Sequence, residues 1–221
     1  MDFYLDVLLC QEGHGCYVDL GCSVCKHSEA VFHCHNCSGF WLLCRQCIKK
    51  SYQAEPLHII EVCYYFALNP FCSKCSVQVW KSTHFERTSL GTLGIWYQLG
   101  HPPNMVCALA KPAYKDFLII HHNGLHNVLV NFCGCSSHFQ PYQQLLTQGW
   151  FPSTLMEPRT CAMFALLHQF HILNLQAKTM MYDFYKVLSQ LTDGTGLSNL
   201  LVSLMSISLH LNAHLFPLPS L

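Results

Sequence analysis

Two stretches in the second half of the chain repeat apolar residues at intervals of three and four. The first runs through Met163, Phe164, Leu167, Phe170 and Leu173, the second through Met181, Phe184, Tyr185, Leu188 and Leu191. That spacing puts each set on one side of a helix, so residues 153–193 read as an amphipathic helical pair whose stripes build core. Pro158 suits a first helical turn, and Asp193-Gly194-Thr195-Gly196 is a stop signal. Upstream the period changes to two. His126, Val128, Val130 and Phe132 alternate with Asn127, Leu129 and Asn131, which predicts a strand with one face inward. Residues 117–121 and 125–133 flank His122-Asn123-Gly124, and Asn-Gly between apolar arms signals a hairpin with a type I′ turn. Residues 78–81 and 92–99 are further short β-favouring runs.

The last segment, 197–221, is rich in Leu and Ser and approaches the length of a membrane span. Asn199, His210, Asn212, His214, Pro217 and Pro219 interrupt it. A span needs about 20 predominantly apolar residues, so insertion in a membrane is not expected. The first ten residues include Asp2 and Asp6 and lack a basic stretch or a long apolar run, so no secretory signal is expected. The expected location is nuclear or cytoplasmic.

Composition adds the chemistry. Of 221 residues, 51% are hydrophobic and 11% charged, which argues against wholesale disorder. Twelve Lys+Arg balance twelve Asp+Glu, so nucleic-acid binding must rest on a local patch. Fifteen Cys and fifteen His are the outstanding feature. An odd thiol count without a secretory signal points to metal rather than to disulfides. A lone histidine such as His168 or His171 on a helical pattern reads as packing or surface.

The strongest spacing signal lies in 22–58. Cys22/Cys25, Cys34/Cys37 and Cys44/Cys47 each enclose two residues, and His58 follows. A tight knuckle of this kind turns both sulfurs toward one zinc ion at roughly 2.3 Å. Six thiols and one histidine give seven ligands, against the eight that two tetrahedral ions need, so one or two zinc ions are expected. A second cluster is centred on Cys133-Gly134-Cys135. Cys107, with His101 or His138, can complete its tetrahedron; the alternative is a turn with two buried thiols. Cys10, His14 and Cys16 are loosely spaced and read as part of an N-terminal segment.

The run Cys34-His35-Asn36-Cys37, Leu43-Cys44-Arg45-Gln46-Cys47 and Pro56-Leu57-His58-Ile59-Ile60-Glu61 resembles the second-type CxC cysteine cluster found N-terminal to KDZ transposases in fungal genomes. The resemblance continues through Phe85-Glu86-Arg87-Thr88-Ser89-Leu90, Leu99-Gly100-His101-Pro102-Pro103 and Asn123-Gly124-Leu125-His126. It runs on through Phe132-Cys133-Gly134-Cys135, Trp150-Phe151-Pro152, Pro158-Arg159-Thr160 and Tyr182-Asp183-Phe184-Tyr185 to Leu191-Thr192-Asp193, covering about 22–196. It implies a zinc-chelating module attached to a transposase, with DNA as the proposed target. The thiol spacing also resembles the first-type B-box, a cross-braced two-zinc fold. That arrangement implies one ion on Cys22, Cys25, Cys44 and Cys47, and another on Cys34, Cys37 and His58.

The chain departs from the family pattern at three places. Tyr52 stands where the family usually has a histidine, so the second ion is three-coordinate, recruits His33 or His35, or is lost. Residues 62–78 read as an insertion, which makes Cys63, Cys72 and Cys75 bystanders. After Gly196 the family continues toward its catalytic region, whereas here the Leu/Ser-rich run follows.

The expected organisation is therefore an N-terminal segment (1–21), a zinc-binding cysteine cluster (22–61), an insertion (62–78), a β-rich region (79–152), a helical region (153–196) and a divergent tail (197–221). The fold class is α+β: a small cross-braced zinc module, then a short antiparallel β-sheet region and a helical pair packed on it. No enzyme is expected. There is no Gly-rich phosphate loop or Gly-x-Ser-x-Gly elbow, the acids are scattered, and the paired thiols are better explained as ligands of closed sites. Arg45, Lys49 and Lys50 are the candidate phosphate contacts, on a segment that starts a short helix; the alternative is a solvated basic face. DNA, a transposase or another protein is the expected partner, and no small-molecule substrate is. The rival functions are a protein-interaction module and a decaying transposon fragment without selected function.

Overall fold

The computed structural model describes residues 3–5, 8, 21–26, 30–39, 41–63, 85–102, 105–135 and 139–193. Cys10, His14, Cys16, Cys72, Cys75, His138, residues 64–84 and the 197–221 tail lie outside them. The chain is mixed α+β and divides into two compact units, residues 1–95 and residues 96–221.

The first unit has a three-stranded antiparallel sheet in the order β1 (Phe32–Cys34), β2 (Ile60–Cys63), β3 (Phe85–Thr88). Residues 62 and 63, at the start of the expected insertion, extend β2. Helix α1 (Arg45–Tyr52) begins at a cysteine: Cys44 is its N-cap, and the Cys44 sulfur accepts the Cys47 amide at 3.5 Å. The sulfur thereby satisfies one of the amides that a helix start leaves unpaired. Lys49 and Lys50 lie in the last turn, where cations oppose the helix dipole favourably. The core is small and made partly of the thiols themselves. Cys22, Cys34 and Cys44 are buried with Phe32, Leu43, Ile48, Ile60, Leu90, Leu93 and Ile95.

Among its described residues the second unit carries two sheets. The first has the order β7 (Gly124–Asn127), β6 (Leu118–His121), β10 (Thr160–Met163), β9 (Trp150–Pro152). The second has the order β4 (Trp96–Gln98), β8 (Leu129–Phe132), β5 (Lys111–Pro112). The hairpin expected around Asn123 forms, with His121 opposite Gly124. Asn123 is not among the residues with positive φ, so the turn is not type I′. The long second arm splits at Val128: β7 stays with β6, while β8 joins β4 and β5. Val128, Val130 and Phe132 are buried, as the alternation predicts.

The helical pattern read from Pro158 onward starts later. Residues Thr160–Met163 form a strand parallel to β6 and antiparallel to β9. Cys161 and Ala162 are both buried, as in a strand flanked on both edges and covered on both faces. Helices α3 (Phe164–Ala177) and α4 (Met181–Thr192) follow. Leu166, Leu167, Phe184 and Leu188 pack with Ile120, Leu125 and Ala162 into one apolar cluster, so the pair covers the four-stranded sheet. Phe164 and Leu191, assigned to the stripes, are exposed. Between the sheets' strands in sequence lies α2 (Pro141–Thr147), with a proline in its first turn. Among the described residues no helix is long and apolar enough to cross a membrane.

Candidate metal centres

Among the described residues, three sets of side chains bring their ligand atoms within 4.8 Å of one another: Cys22, Cys25, Cys44 and Cys47; Cys34, Cys37 and His58; His101, Cys107, Cys133 and Cys135. Each set can hold a metal ion.

In the first set, the Cys22–Cys25 knuckle closes by a Lys26 amide to Cys22 carbonyl bond of 2.9 Å, with Lys26 at φ +63. The Cys44 amide donates to the Cys22 sulfur at 3.3 Å, joining the two knuckles. Cys25 and Cys44 sulfurs lie 3.8 Å apart. That matches the edge of a tetrahedron with arms of about 2.3 Å, the zinc–thiolate length. Burial and the neighbouring Cys44, Cys22 and Cys25 sulfurs push the Cys47 thiol up to about 12. Four thiols this close resist losing their protons together, and a dication removes that resistance.

The second set is built on β1 and the segment leading into β2. Ile59 donates to Asn36 Oδ1 at 2.7 Å, and His35 donates to the Ile59 carbonyl at 2.9 Å, so the knuckle is pinned beside His58. His58 Nδ1 lies 3.3 Å from the Cys34 sulfur and 3.5 Å from the Cys37 sulfur. His58 Nε2 is 3.7 Å from Glu55, the partner arrangement that orients a metal-binding imidazole. Burial raises the Cys34 thiol. Tyr52 donates its hydroxyl hydrogen to the Cys37 sulfur at 3.2 Å. Burial and the Cys37 and Cys34 sulfurs raise that phenol. His33 and His35 do not join the set; their Nδ1 atoms face Glu61 at 3.7 and 3.6 Å.

In the third set, the Cys107 sulfur lies 3.2 Å from Cys135 and 3.7 Å from Cys133, and His101 Nε2 lies 3.2 Å from the Cys133 sulfur. His101 thus stands beside the three thiols read from sequence. Burial alone would raise Cys107, but hydrogen bonds from Cys135, the Gly134 and Leu109 amides and His101 bring it down to about 6. Cys135, facing Cys107, is raised. Gly134 packs against backbone: a Cβ there would sit 2.2 Å from the Leu109 carbonyl oxygen. Gly100, at φ +75, lets the loop before His101 approach Cys133, whose Cβ would be 2.8 Å from an added Cβ.

One positioning residue carried no sequence signal. Gln144, buried on α2, accepts the Cys133 amide at 2.8 Å and donates to the Cys133 carbonyl at 3.0 Å and the Phe139 carbonyl at 3.2 Å. It fixes the backbone of the first thiol of the Cys-Gly-Cys turn. Arg45, Lys49 and Lys50 all lie on α1, with Arg45 and Lys50 exposed and Lys49 half-buried.

Residues 90–196 match the family model described as CxC2 like cysteine cluster associated with KDZ transposases. The match includes the third set and leaves the first two sets outside it. No curated protein and no solved structure matches the chain.

Proposed function

We propose that the chain is a non-catalytic zinc module that recognises DNA, a reading supported by the match of residues 90–196 to the CxC2-like cysteine-cluster model associated with KDZ transposases. The observation that carries this reading is the convergence of eleven Cys and His ligands into three compact sets, two of them with four ligands. Four protein ligands close a tetrahedral zinc site and leave it a structural role. In the first unit the first and third cysteine pairs share one ion, while the second pair shares another with His58, a cross-braced and B-box-like arrangement. Thiolate and imidazole ligands suit zinc over hard cations such as magnesium.

The DNA reading is supported by α1, whose first residues are anchored by the Cys44 and Cys47 ligands. Arg45 and Lys49 are one turn apart, and Lys50 extends the cluster. Three cations give a weak, salt-sensitive phosphate contact. The test is duplex binding at low and moderate salt, repeated with Lys49→Gln and Lys50→Gln together. Binding that falls with salt and falls further in the double variant supports the reading. Binding that shows no salt slope and no loss sinks it and favours the rival protein-interaction module.

A further inference from the structure

We propose that His121, His126 and Asn123 form a binding site for a divalent transition-metal ion at the tip of the β6–β7 hairpin, apart from the three cysteine-containing sets. The site is independent of the zinc reading above, because it uses none of those ligands.

The register brings the residues together. β6 and β7 pair antiparallel, with His121 opposite Gly124 and Ile119 opposite His126. Side chains two apart on a strand share a face, as do directly opposed ones, so His121 and His126 are diagonal neighbours on one face. Asn123, in the turn between them, addresses both. Its Oδ1 lies 2.6 Å from His126 Nε2 and within hydrogen-bond distance of His121 Nδ1. Two imidazole nitrogens from two strands thus converge on one amide group. The exposed His122 ring lies 3.9 Å from the His121 ring, so a further imidazole is at hand.

With their hydrogens on the converging nitrogens, both rings donate to the Asn123 oxygen. With the hydrogens on the other ring nitrogens, the same geometry aims two lone pairs at one place beside an amide oxygen. Neutral imidazoles hold first-row ions in that way, at about 2.0–2.1 Å for zinc. Two imidazoles and an amide oxygen suit nickel(II), copper(II) or zinc(II) better than magnesium or calcium. Lacking a thiolate and lying at half-buried positions, the site binds more weakly than the cysteine sets and fills only when metal is supplied in excess.

The turn is held in place by the fold itself. The Leu125 amide donates to Thr192 Oγ1 at 2.7 Å, and the Thr192 hydroxyl donates to the Leu188 carbonyl at 2.8 Å. Gly124, at φ +135, permits this approach, since an added Cβ would lie 2.7 Å from Thr192 Oγ1. The ligands therefore sit on a hairpin docked to the end of α4, which lowers the ordering cost of binding.

Nickel(II) is the probe, added in excess to the zinc-loaded full-length chain, with bound ions counted by native mass spectrometry. The wild type should gain one nickel ion while keeping its zinc. His126→Gln should lose the nickel and keep the zinc, and His168→Gln, on the exposed side of α3, should retain both. No nickel on the wild type, nickel bound only in exchange for zinc, or nickel retained by His126→Gln overturns the inference. Diethyl pyrocarbonate labelling of the wild type decides the matter should His126→Gln fail to fold. Nickel should protect His121 and His126 but not His168, and equal labelling with and without nickel overturns the site. A low zinc count bears on the cysteine sets alone.

Discussion

Gly134→Ala is a small perturbation at a crowded place. The added methyl would lie 2.2 Å from the Leu109 carbonyl oxygen and 3.3 Å from the Leu109 carbonyl carbon and Cβ. Ordinary heavy-atom contacts begin near 3.5 Å, so backbone on one side must retreat by roughly 1 Å. Neither side can do so without moving ligands. Cys133 and Cys135 flank the glycine, and Leu109 lies two residues from Cys107. Metal–ligand distances tolerate only about ±0.2 Å. The overpacking costs about 1–3 kcal/mol, and loss of the ion removes a further contribution of several kcal/mol. Against a typical domain stability of about 5–15 kcal/mol, that leaves residues 96–193 marginal. Native mass spectrometry should show one zinc fewer than wild type, and a thermal melt should show a lowered transition. Gly149→Ala is the control. Gly149, unlike Gly134, has positive φ, and nothing lies within 4 Å of an added Cβ. It should keep its full metal count and lose only the 1–2 kcal/mol of a left-handed non-glycine residue. A Gly134→Ala protein with full zinc and a transition within about 0.5 kcal/mol of wild type would refute the reasoning.

Further predictions concern the rest of the molecule. A strong chelator should unfold residues 22–61, whose core contains the ligand thiols, while far-UV circular dichroism shows α3 and α4 largely retained; unchanged dichroism with no zinc released counts against this. Leu188→Ala removes a side chain that is 3% exposed in the helix–sheet cluster and should destabilise by about 2–5 kcal/mol in denaturant titration. Glu61 is held below the usual carboxylate range, first by the nearby His33, against burial, and then by His35 and Arg87. Its contribution is present above the unfolded carboxylate value near 4.3 and is lost as pH falls through the lower folded value. Glu61→Gln should therefore destabilise by about 1 kcal/mol at pH 7, with the difference from wild type vanishing in acid.

The sequence spoke clearly where spacing alone places atoms together. Two residues between thiols make a knuckle, so the Cys22/Cys25, Cys34/Cys37 and Cys44/Cys47 pairs could be read directly. Which pair shares an ion with which depends on how β1, β2 and α1 bring them together, and only a resemblance suggested it. The helical pair was legible from its apolar period, as was β8 from its alternation. Thr160–Met163 was not, because a short apolar run entering a helix has no period of its own; its strand character comes from β6 and β9 on either side. Gln144 was invisible for a related reason. A glutamine on an amphipathic helix normally reads as surface, and its role arises because α2 places it against Cys133. His101 was one of two candidates until the loop at Gly100 set it beside Cys133.

The most direct test of this account is the number of zinc ions bound by the native full-length chain, measured by native mass spectrometry under reducing conditions. The three ligand sets predict three ions, two held in closed sites and one in the set beside Tyr52. A chain that carries no zinc, with its thiols free or paired as disulfides, would contradict it.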